Sequence, residues 1–173
     1  EKICISKKVT ENIIRREMTT VESKIKSIVE QMEGVTYIFE NWATANVRLD
    51  SGVMPAILNV LPVSGRFNLG KMHLKDFPNC MLAFLDKADL DFDGAENDAI
   101  IERCKDFAKE FVLRLNASGL FEQVEGDIPY SIVYDKLDVN VTGIVIEMQL
   151  KEAKGLVLCP GKDIGELVHG RKG

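Results

Sequence analysis

Asp89, Asp91 and Asp93 stand two apart and are followed by Gly94, inside the segment "KADLDFDGAEND" at 87–98. No other stretch of this 173-residue chain offers a chemistry so openly. Alternate carboxylates can converge on one hard cation, and a glycine in sixth place allows the sharp turn that brings them together. A calcium loop of this kind also needs a bidentate Glu in twelfth place. Counted from Asp89, Asn97 falls in ninth place, but the twelfth is Ile100, which has no ligating atom, and Glu102 comes two residues late. The same residues suit a helix start. Asp93 has the carboxylate of an N-cap, and Glu96 and Asp98 fall in the first turn, where negative charge meets the positive end of the helix dipole. A capped helix start without a metal is therefore expected, with Asp89, Asp91 and Asp93 as the ligands of the alternative, a weakly held cation.

Other reactive residue types form no working constellation. His73 and His169 are the only histidines, and neither belongs to a zinc-binding spacing. Cys4, Cys80, Cys104 and Cys159 include no CxxC pair, and Cys80 and Cys104 lie in apolar surroundings that predict core positions. The "GKM" at 70–72 and "GKD" at 161–163 lack the Ser or Thr and the upstream Gly of a phosphate-binding loop. Ser51 and Ser64 sit in turns without the strand–turn–helix setting of a nucleophile elbow. Trp42 stands alone, with no aromatic and basic stripe for stacking bases, and is expected in packing. Tyr130 and Tyr134 alternate with Ile128 and Ile132, which predicts a buried stripe. No catalytic, cofactor-binding or metal residue is assigned, and an enzyme is not the expectation.

The bulk numbers set the frame. The chain is 46% hydrophobic and 28% charged, an ordinary globular composition. Its net charge of −5 argues against a surface for duplex nucleic acid, which needs clustered Lys and Arg. Apolar runs such as "CMLAFL" at 80–85 are too short to span a bilayer, and the first residues carry no secretory pattern, so reduced thiols are expected.

The elements that would position any site follow from periodicity. Thr19 and Glu22 have capping-box spacing ahead of Val21, Ile25, Ile28, Val29 and Met32, which predicts a helix over about 20–33, stopped at Gly34. Strands are predicted at 35–39, 45–49 and 55–61. A polar connection follows at 62–78, between Pro62 and Pro78, and then a strand from Asn79 that is apolar on both faces. A long helix is predicted over about 95–117, then strands at 120–124 and 129–135. A closing strand points Ile144, Ile146, Met148 and Leu150 one way and Val145, Glu147 and Gln149 the other. This order predicts an α+β domain with a mixed, mostly antiparallel sheet, two helices packed on one face and a long strand-to-strand excursion.

Residues 1–17 carry five basic and three acidic side chains and are read as an N-terminal arm, with the domain starting at Met18. One reading of the arm is an appended segment; another is that translation naturally begins at Met18. The domain is expected over 18–151. Residues 152–173 are read as a peripheral arm in which "DIGELV" forms one helical turn.

From Met18 to about Lys151 the chain resembles the small tail-completion and tail-terminator proteins of tailed bacteriophages and prophage remnants. The resemblance lies in the short first helix, "PAILNVLPVSG", the long excursion, the "FAKEFVLRLNASGLF" helix and the closing "GIVIEMQL" strand. It implies a structural protein that forms rings, typically hexamers, on the end of the tail tube and meets the head connector. Its implied partners are itself and other tail or connector proteins, with no cofactor, nucleic acid or membrane, in the cytoplasm during assembly and in the virion of an active phage. Independently, the excursion holds Phe67, Leu69, Met72 and Leu74 among basic residues, and these are the interface candidates. The other classes left open are a bacterial protein binding a small ligand or cation near the acidic loop, and an enzyme without a recognisable motif.

Overall fold

The computed structural model describes residues 20–51, 53–61, 64–70, 73–89, 93–137, 140–153 and 156–157. The arm at 1–17, Met18, Thr19 and "DIGELV" lie outside them.

Helix α1 is Val21–Val29. Its cap is Thr20, one residue later than the expected Thr19: the Thr20 hydroxyl accepts from the Ser23 amide at 3.1 Å, and the Ser23 hydroxyl donates back to the Thr20 carbonyl at 2.9 Å. Both threonines have the group a cap needs, and a start at Thr20 still keeps Glu22 in the first turn. The chain then forms β1 (Thr36–Glu40), α2 (Trp42–Ser51) and β2 (Ala56–Val60).

The strand expected at 45–49 is the middle of α2. Apolar and polar residues alternate in "ANVRL", but what is buried is Ala45 and Leu49, four apart on one helical face, while Val47 is exposed. Asn41 starts the helix, its side-chain oxygen accepting from the Thr44 amide at 2.9 Å. Period two over five residues was too short a signal to outweigh that cap.

The connection at 62–78 is largely a hairpin. Strand β3 (Gly65–Leu69) pairs antiparallel with the first part of β4 (His73–Lys87), from Gly65 opposite Pro78 to Leu69 opposite Leu74. The Gly70 amide closes the turn onto the His73 carbonyl at 2.8 Å. Strand β4 then runs on into the main sheet, so fifteen residues join the hairpin to the core without a break.

Helix α3 (Gly94–Ser118) ends at Gly119, whose φ of 65° is the left-handed cap that glycine adopts without strain. The strand expected at 120–124 is reduced to one bridge, Phe121 with Glu152. Asn116 accounts for the difference. Its side chain accepts from the Val124 amide at 2.8 Å and donates to the Val124 carbonyl at 3.1 Å, taking the groups a neighbouring strand would use. Strands β5 (Tyr130–Lys136) and β6 (Val141–Gln149) form an antiparallel pair, and β7 (Leu156–Val157) pairs with the start of β4.

The main sheet has the order β1-β2-β4-β6-β5, with β3 and β7 attached to β4 beyond it. Among the described residues only β1 and β2 pair in parallel, and the other pairings are antiparallel. The molecule is thus the expected α+β mixed sheet. Helices α1 and α3 cover one face through Ile25, Ile28, Ile101, Cys104, Phe111 and Leu115, packed on Leu82, Phe84, Ile144 and Ile146. Helix α2 covers part of the other face through Ala45 and Leu49, over Ile38, Leu58, Ala83 and Leu85. This third helix explains why Val145, on the wetter side of the closing strand, is also buried.

The chain after β6 is not wholly peripheral. Glu152 continues the pairing with β4, its amide donating to the Asp76 carbonyl at 3.1 Å, and β7 adds two further pairs.

Candidate interaction surface

The β3–β4 hairpin carries the interface candidates. Phe67 is 76% and Leu69 68% exposed, and they alternate onto one face of β3. Leu74, opposite Leu69, is half-buried, and Met72 lies outside the described residues. Apolar groups left in water cost about 25 cal/mol per Å².

The hairpin is held at its base by charge. The Glu152 carboxylate accepts from the Lys24 ammonium on α1 at 2.9 Å and from the Asp76 amide at 3.0 Å, so one side chain ties the first helix to β4. Lys75 pairs with Glu122 at 2.6 Å. On the other face, the Phe77 ring is buried between the Arg66 guanidinium and the Lys151 ammonium, 5.5 and 6.0 Å from its centre. Burial raises the Asp76 carboxyl above its usual range, and the neighbouring Glu152 carboxylate adds to the rise. Lys75 holds Glu122 below the usual range.

A second apolar stripe lies at the far edge of the sheet. Tyr130, Ile132 and Tyr134 on β5 are 52, 44 and 56% exposed, which corrects the expectation that they are buried. Tyr130 and Ile132 do face the helical side, since they stand opposite the core residues Ile146 and Ile144; the register with β6 shifts after Val133, ahead of Tyr134. But β5 is the last strand, and the buried face of α3 is spent on β4 and β6. The Lys105 ammonium of α3 approaches the stripe there, 5.4 Å from the centre of the Tyr130 ring. Alternation shows that residues share a face; it does not show how far a helix reaches across it.

The acidic loop works as a helix start. The Asp93 carboxylate accepts from the amides of Ala95 at 2.8 Å and Glu96 at 3.0 Å, and Glu96 accepts from the Asp93 amide at 2.8 Å. This is a complete capping box, and both amides are held by the same Asp93 oxygen, Oδ1. Asp89 is exposed, and Asp91 lies outside the described residues. No group of three His, Cys, Asp or Glu among the described residues could hold a metal ion.

An open concavity of about 490 Å³ lies beside Trp42 and Met81, with Glu147 and Asn79 as its polar margin. Cys80 and Cys104 are free and buried, and burial pushes both thiols up to about 12, so neither is a nucleophile at neutral pH. Cys4, Cys159 and His169 lie outside the described residues. Among those described, no helix is long and apolar enough to cross a membrane.

No family model, curated protein or solved structure matches the chain. The surface itself must carry any functional reading.

Proposed function

We propose that this chain is a ring-forming structural protein of the kind that completes or terminates the tail tube of tailed bacteriophages, and that it meets a head-connector protein on its outer side. One observation carries the reading. A hairpin presents Phe67 and Leu69 to solvent while Glu152, Lys24 and Asp76 clamp its base to the domain. A loose loop would fold its apolar groups onto its own core. A clamped hairpin keeps them outward, ready for another chain. The resemblance in element order to tail-completion proteins supports the choice of assembly.

Light scattering at high micromolar concentration tests the reading, followed by electron microscopy of the product. A closed oligomer several times the chain mass is expected, with Phe67→Glu reducing it to a folded monomer. A wild type that stays monomeric, alone and with tail-tube protein, overturns the proposal.

A further inference from the structure

The concavity beside Trp42 is the part of the sheet's second face that α2 leaves uncovered. Ala83 and Leu85 on β4 lie under α2, and Met81, at the same alternation, faces the same side. Helix α2 begins at Trp42, which forms a wall of the concavity. Across the floor, Val60 of β2 stands opposite Met81, and Met81 stands opposite Glu147 of β6. Asn79 and Gln149 form the next row. The volume of about 490 Å³ falls within the range of small-ligand sites.

The polar lining is selective. The Gln149 side-chain amide donates to the Asn79 side-chain oxygen at 3.0 Å, and the Asn79 amide donates to the Ser64 hydroxyl at 2.8 Å, so these groups are engaged with one another. Glu147 differs. It is exposed, and its carboxylate makes no hydrogen bond or ion pair with another described residue. It is also the one charged side chain among the described residues that line the concavity. Arg66 and Lys151 lie further along the same face but flank Phe77, four residues from Met81 on β4, or about 13 Å away. An apolar floor, an indole wall and an unneutralised carboxylate match a cation carried on an apolar body. The carboxylate takes the N–H groups, Met81 and Val60 take the hydrocarbon, and indole is the ring that attracts a cation best. An anion would be repelled by Glu147, and a neutral molecule would gain nothing from its charge.

We infer that this concavity binds a small organic cation, a protonated amine on an apolar body, through Glu147 and Trp42. The inference is independent of the self-assembly reading. It uses the face covered by α2, whereas Phe67 and Leu69 stand opposite Asp76 and Leu74, on the face of α1 and α3.

Trp42 is the only tryptophan in the chain, so its fluorescence reports on the concavity directly. Titrating the full chain with cyclohexylmethylamine, a cation at neutral pH, is expected to give a saturable change at millimolar concentration or below. Cyclohexylmethanol, its neutral counterpart of the same shape, should bind about tenfold more weakly, the scale of losing a hydrogen bond to a charged group. Glu147→Gln should lose the same factor for the amine. Circular dichroism checks that the variant is folded, and the comparison of amine with alcohol on the wild type needs no variant. No saturable change, an alcohol that binds as well as the amine, or an unchanged affinity in folded Glu147→Gln overturns the inference. So does a Trp42 spectrum that shifts on dilution without any amine, which would mean that a second copy of the chain fills the concavity.

Discussion

Gly143 on β6 stands so close to the Phe84 carbonyl of β4 that a methyl group there would lie 2.0 Å from its oxygen. The obstacle is the backbone of a central strand, which cannot rotate aside. Gly143→Ala is expected to destabilise the fold by about 3 kcal/mol, the upper part of the usual range for overpacking. Urea unfolding measures it. A change below about 0.5 kcal/mol, the range of inert surface substitutions, would mean that β4 and β6 separate here without penalty.

The capping box at Asp93 predicts a modest, metal-independent contribution. Asp93→Ala should cost about 1 kcal/mol, or about 2–4 °C in melting temperature for a chain of this size. Calcium should leave the wild-type melting temperature unchanged. A cation held at a hundredfold excess over its Kd adds about 2.7 kcal/mol, and a calcium shift of that size, lost in Asp91→Ala, would restore the metal reading.

Two buried thiols and a half-buried tyrosine predict loss of stability in alkali. Burial raises Cys80 and Cys104 to about 12 and raises Tyr37 above its usual value, which the hydrogen bond from Asn59 only partly offsets. Each folded-state value lies above the unfolded one, so the folded chain holds protons that the unfolded chain releases. Their contribution is whole below pH 9 and falls as pH rises from about 9 towards 12. Melting temperatures across this window should decline, and less steeply in Cys80→Ala/Cys104→Ala. A thiol reagent should label these two cysteines only on unfolding; rapid native labelling of either would contradict their burial.

Glu152→Ala should loosen the base of the hairpin. It removes a partner from the half-buried Lys24 and Asp76 amide, and a cost of about 1–3 kcal/mol is expected for such a loss. Hydrogen exchange should accelerate at 73–78 and stay unchanged at 82–85. Uniform acceleration would mean that Glu152 supports the whole domain rather than the hairpin.

Much of this architecture is legible in single residues. The strip Ile25, Ile28 and Val29 defines α1, the run from Ile100 to Leu115 defines α3, and Asp93 with Glu96 marks where α3 begins. The α+β class follows from the order of these elements. Alanine and leucine four apart at Ala45 and Leu49 were hidden beneath an alternation that pointed to a strand, and Asn41 was the overlooked signal. At Phe121 the pattern was strand-like, yet Asn116 took the backbone groups of Val124.

Residue types and short-range spacing establish which side chains are apolar, which share a face and where helices start, because those depend on neighbours a few positions away. The candidate surface was only half visible in that way. Phe67 and Leu69 stood out because no periodic element claimed them. The alternation of Tyr130, Ile132 and Tyr134 predicts a buried stripe, and the fold leaves them exposed. The reason is one of reach: whether a face is covered depends on the width of α3 against the position of β5 in the sheet, and strand order is set by pairings between residues far apart in the chain. The same long-range pairings put β3 and β5 on opposite edges, with Phe67, Leu69, Tyr130 and Ile132 on one face.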